Sequence, residues 1–124
     1  MKADLNTQIQ PNFKAQVSPK FVDFMHKYIN RGADRLQNTH RFNSRVEKLQ
    51  KVGYNNYSIE YVVQDLGYRK EYILTAIPND GTEEDGIFIS RHSTIGQLLK
   101  YFMSMTNYTF LYKMKCGKKI NLNK

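Results

Sequence analysis

Residues 57–78, YSIEYVVQDLGYRKEYILTAIP, decide the fold. Tyr57, Ile59, Tyr61 and Val63 alternate with Ser58, Glu60, Val62 and Gln64, which is the period of a half-buried strand. Asp65-Leu66-Gly67-Tyr68 supplies a turn, with Gly67 free to take a positive φ. Arg69 to Ile77 then runs as a second strand, rich in tyrosine and β-branched residues, and stops at Pro78. The stretch is a β-hairpin.

On its C-terminal side, residues 79–86 form an acidic loop punctuated by Gly81 and Gly86, and Ile87 to Ser90 read as a short third strand. Thr94 with Gln97 makes a capping box that opens a helix through Ile95, Leu98, Leu99, Phe102 and Met103, ending at Asn107. Tyr108, Phe110, Tyr112 and Met114 alternate again, so residues 108–115 are predicted as a last strand, followed by a basic tail over 116–124.

On its N-terminal side, residues 1–17 read as an extended or flexible arm. Ser18 and Pro19 then mark a helix start, a capping oxygen followed by a residue of fixed φ. The periodicity carries this helix to about Gln37, with Phe21, Val22, Met25, Tyr28, Ile29, Ala33 and Leu36 in one apolar arc. Gly32 allows a break at Asn30–Gly32, but the apolar face lapses later, over residues 38–43. Ser44 and Glu47 form an S-x-x-E box that announces a second helix, with Val46, Leu49 and Val52 inward and Gly53 as its C-cap. The expected break is therefore a kink or short turn near residues 38–44. The order is α-α-β-β-β-α-β: a single α+β domain over 18–115, with a two-helix N-terminal arm on a mainly antiparallel sheet of three to four strands and one further helix.

The 124 residues suffice for one domain with its own core. The single cysteine, Cys116, excludes an internal disulfide and suits a reducing compartment. No apolar run approaches the roughly 18 residues of a membrane span, and residues 1–10 lack the apolar core of a secretory signal. The expected location is the cytoplasm, with no membrane partner. The net charge of +8 is unevenly placed: ten Lys/Arg against four Asp/Glu over residues 1–52, three against seven over 53–92, and six against none over 93–124. Basic ends flanking an acidic middle are an electrostatic footprint of polyanion binding.

Motifs that name a reaction are missing. His26, His40 and His92 have no second His or Cys at ligand spacing, and residues 80–85 do not form an EF-hand loop, so no metal is expected. There is no Walker-type loop and no cofactor signature. Cys116 lies among lysines but has no histidine near it in sequence. Ser90-Arg91-His92-Ser93 gathers a base, a cation and hydroxyls, and a metal-independent ribonuclease can work with such groups, His92 as acid/base and Arg91 on the phosphate; helix capping by Ser93 and Thr94, with His92 at the surface, is the favoured reading because it explains the phrase completely without catalysis.

Nucleic-acid binding has more support. Lys20, Lys27, Arg31 and Arg35 form one basic stripe that can track phosphates. Arg41, Arg45 and Lys48 extend it, and Lys113 and Lys115 add a second group. Nine tyrosines and seven phenylalanines offer stacking partners for unpaired bases, though most fall on predicted inward strand positions. The order of a helix, three strands and a helix resembles the double-stranded-RNA-binding domain, but residues 95–103 offer Lys100 alone where that family presents a lysine cluster. The sequence therefore leads to a small basic nucleic-acid-binding regulator without catalytic residues, RNA or single-stranded DNA favoured. Its size and Asn/Lys/Tyr-rich composition suit a phage or mobile-element accessory protein. The alternative is an interaction module that inhibits a host nucleic-acid-handling enzyme. Its basic helices would grip a protein partner with an acidic surface while residues 80–85 imitate phosphates.

Overall fold

The hairpin forms as its sequence requires. In a computed structural model, which describes residues 16–51, 57–78 and 85–121, one strand runs Tyr57–Asp65 and the next Lys70–Pro78, in register from Tyr57↔Pro78 to Asp65↔Lys70. Gly67 takes φ 92°, its N–H donates to Asp65 Oδ1, and Leu66 N donates to Arg69 O at 2.8 Å to close the turn.

Three further segments complete a five-stranded sheet. In chain order the strands are β1 (Gln16–Val17), β2 (Tyr57–Asp65), β3 (Lys70–Pro78), β4 (Asp85–His92) and β5 (Lys119–Asn121), and they are hydrogen-bonded in that spatial order. β1 pairs parallel to β2 at one edge, and every other pair is antiparallel. The β3–β4 register slips between Leu74 and Thr75, where Ile89 is the extra residue on β4. Thr75, fully buried, donates its hydroxyl to Ile87 O at 2.8 Å beside this bulge.

Four helices cover one face: α1 (Pro19–Ile29), α2 (Arg35–Gln50), α3 (Ile95–Ser104) and α4 (Asn107–Cys116). Each sends apolar side chains into a single core with Ile59, Leu74, Ala76, Ile87 and Ile89 of the sheet. The centre is aromatic. Phe21 of α1, Phe42 of α2 and Phe102 of α3 are all fully buried, with ring centroids 5.1–6.0 Å apart in tilted and edge-on arrangements. The α+β class and the antiparallel sheet agree with the sequence reading.

Two details differ. The break between the first helices falls at residues 30–34, not 38–44. α1 starts as expected, with Ser18 Oγ accepting from Lys20 N, but ends at Ile29, where Asn30 N and Gly32 N close on His26 O and Ile29 O. α2 then passes unbroken through Ser44 and Glu47, because Phe42 and Leu49 hold its middle in the core. Leu36, expected on the apolar arc, is 82% exposed as a consequence. Val52 and the Gly53 cap lie outside the described residues.

The second difference is at residues 107–116, which form helix α4 and not a strand. Thr106 caps it: Thr106 Oγ1 accepts from Thr109 N at 3.0 Å. The four apolar positions that alternate in sequence do not share a face. Phe110 and Met114, one helical turn apart, are buried, while Tyr108 and Tyr112 are exposed. Asn107 therefore begins this helix and does not end α3, which closes at Ser104. The last strand, β5, comes from Lys119–Asn121 instead. Gly117 makes the corner between them; a side chain there would run into Lys113 O and come within 2.7 Å of Ile87 Cγ2.

Candidate nucleic-acid interface

α2 carries a group of cations that no carboxylate pairs among the described residues. On a wheel of about 100° per residue, Arg41, Arg45 and Lys48 fall within an arc of about 60°, on the flank of the face that buries Phe42 and Leu49. Arg41 and Lys48 are exposed and Arg45 is half-buried. Among the described residues no carboxylate pairs with any of the three. They line a cavity of about 220 Å³ together with His40, Ser44 and Met103 of α3. A second, wider cavity of about 430 Å³ lies beside it, along His40, Asn43, Ser44 and Glu47.

Arg45 is the fixed member of the cluster. It donates to Asn107 Oδ1 at the start of α4, 62 residues along the chain. Its Nε is buried and has no hydrogen-bond partner among the described residues. Desolvation lowers its pKa from the ordinary arginine value, and the guanidinium remains charged beside the cavity. Asn107 holds this cation in place, a role that no local signal in the sequence points to.

The remaining expected contacts are scattered. Lys20 and Lys27 lie on α1, where Lys27 pairs with Asp23 at 3.2 Å and Lys20 Nζ sits 5.3 Å from the Tyr61 ring centroid. Tyr61 is itself stacked on Phe24 at 4.3 Å, and burial, helped by Glu60 and Asp23, raises its pKa. Arg31 lies in the 30–34 turn, and Arg35 opens α2 but projects roughly 120° away from Arg41 on the same wheel. Lys113 and Lys115 sit in the last turn of α4, the end farther from Asn107. The single stripe expected from Lys20 to Arg35 is thus divided at the 30–34 turn, and Arg41, Arg45 and Lys48 stand as one group.

The serine–arginine–histidine phrase separates as well. His92 Nε2 and Ser90 Oγ are 2.8 Å apart on the helix-covered side of β4, and the imidazole ring lies 5.1 Å from that of Tyr101. Burial lowers the His92 pKa and raises that of Tyr101. Arg91 points to the opposite side, where Glu71 pairs with it at 3.2 Å and with Arg69 at 2.9 Å. Arg91 and His92 do not converge on one phosphate. Cys116 is exposed at the end of α4, and among the described residues no three His, Cys, Asp or Glu side chains come together as a metal ion needs.

Among the described residues, no helix is long and apolar enough to cross a membrane. Searches against family models, curated proteins and solved structures find no match to this chain.

Proposed function

We propose that the protein is a small cytoplasmic nucleic-acid-binding regulator that grips phosphates through the basic flank of α2. The observation that supports this reading most is the grouping of Arg41, Arg45 and Lys48 around one cavity, unpaired by carboxylates among the described residues. Lys27, by contrast, has Asp23 one turn away on its own helix. On α2 three positive charges converge, and one of them is anchored between two helices. Phosphate oxygens match that geometry, and the bidentate fork of arginine suits them better than a point charge does.

The test is an electrophoretic mobility shift with single-stranded RNA and DNA. Reversing Arg41 and Lys48 to glutamate removes salt-sensitive binding, whereas reversing Lys20 and Lys27 weakens it far less. Each lost phosphate contact lowers the salt slope by about 0.7 on a single strand. Equal losses from the two pairs defeat the assignment to α2. A protein that purifies free of nucleic acid and shifts no probe defeats nucleic-acid binding itself, and directs attention to an acidic protein surface as the partner of the same cations.

A further inference from the structure

We infer that Tyr108 and Tyr112 of α4 form a base-stacking surface, so that the nucleic acid bound beside Arg45 is single-stranded. The inference rests on the proposed function above and adds the second half of its site.

The reasoning begins with the helical state of residues 107–116. On a wheel of about 100° per residue, Tyr108, Tyr112 and Lys115 fall within an arc of about 60° on α4, opposite Phe110 and Met114. Tyr108 is 78% exposed and Tyr112 57% exposed. Two aromatic rings one turn apart, left in water when the helix already has buried anchors, contribute little to folding. Their spacing of about 6 Å between Cβ atoms leaves room for a planar base against each ring. Lys115 on the same stripe supplies a positive charge for the connecting phosphate.

Position joins this stripe to the α2 cations. Arg45 donates to Asn107, the residue immediately before Tyr108, so the guanidinium meets the first turn of α4, with the Tyr108 ring about 100° farther round the helix. A strand whose phosphates lie on α2 would pass the first turn of α4 and turn round the helix to lay its bases on Tyr108 and Tyr112. A duplex has its bases stacked inward and gives such rings nothing to cover; a single strand does. Among the described residues the other strongly exposed tyrosine, Tyr68 at the hairpin turn, is already met by its neighbour: the Arg69 guanidinium lies 5.3 Å from the ring centroid. Tyr108 and Tyr112 have no such cation above them among the described residues.

The experiment measures binding of oligo-uridylate, and of an RNA duplex of the same length, by fluorescence anisotropy over a range of salt. A Tyr108→Ala, Tyr112→Ala protein loses roughly tenfold or more in affinity for the single strand, keeps its salt slope, and binds duplex no worse than before. A Tyr108→Phe, Tyr112→Phe protein retains single-strand affinity, because the ring and not the hydroxyl stacks; this variant also tests the inference if the alanine protein unfolds. Unchanged single-strand affinity in the alanine protein overturns the stacking surface while leaving the α2 reading intact. So does an equal loss on both probes, or a loss in the phenylalanine protein as large as in the alanine protein. If the unaltered protein binds neither probe, the proposed function and this inference fall together.

Discussion

Arg45 and His92 are both half-buried titratable groups, and burial acts on them with different consequences. Desolvation lowers the Arg45 pKa, but an arginine remains charged at every ordinary pH, so the cost persists and is offset in part by the bond to Asn107. His92 can discharge. With its pKa lowered by burial, the folded protein favours the neutral ring more than the unfolded chain does. The stability associated with neutral His92 is therefore complete above the ordinary histidine value of about 6.5 and is lost as pH falls below it toward the folded value. Thermal unfolding followed across this range will show a melting temperature that drops toward acid, and the His92→Gln protein will show a shallower drop than the parent. Curves of equal slope for the two proteins would remove His92 as a contributor.

At the scale of elements, residues 107–116 illustrate how two periods compete in one short stretch. Tyr108, Phe110, Tyr112 and Met114 satisfy a strand, while Phe110 and Met114 alone satisfy a helix, and a ten-residue window holds too few apolar positions to separate them. The deciding signal is the cap at Thr106 and Thr109, which is as local as the Thr94–Gln97 cap that marks α3 correctly. Replacing Thr106 with alanine removes that acceptor and costs about 0.5–2 kcal/mol in denaturant unfolding; a change within error would mean that α4 is held by Phe110 and Met114 without its cap. The hairpin was legible because Gly67, the alternation and Pro78 all point the same way. The α1–α2 break was misplaced because Ser44 and Glu47 spell a helix start in the middle of a helix, and burial of Phe42 and Leu49 outweighs that local preference. Of the site, the residue types and the run of Arg41, Arg45 and Lys48 were legible, but their separation from the Lys20–Arg35 stripe was not. Whether Arg41 stands with Arg45 or with Arg31 depends on where a turn falls, and the link to Asn107 spans 62 residues.

For the whole molecule, the question is whether a net charge of +8 attracts polyanions as a diffuse cloud or through one place. We propose one place. Lys27 is matched by Asp23, Arg69 and Arg91 by Glu71, and Lys20 is drawn over Tyr61. Arg31, Arg35 and the lysines of α4 are, like the α2 trio, unmatched among the described residues, but the trio shares one cavity, and Arg45 ties it to the start of the helix that carries Lys115. Salt dependence distinguishes the two cases because it counts phosphates neutralised, not affinity. Four contacts on a single strand give a slope of log Kobs against log salt of about −3, whereas engagement of all nine cations suggested by the sequence would give about −6. We expect the smaller value for oligo-uridylate, and a further flattening to about −1 or less when Arg41, Arg45 and Lys48 are replaced together by glutamine. A slope near −6 that survives this triple replacement would mean that binding is spread over the surface, and that the α2 cluster is only one part of it.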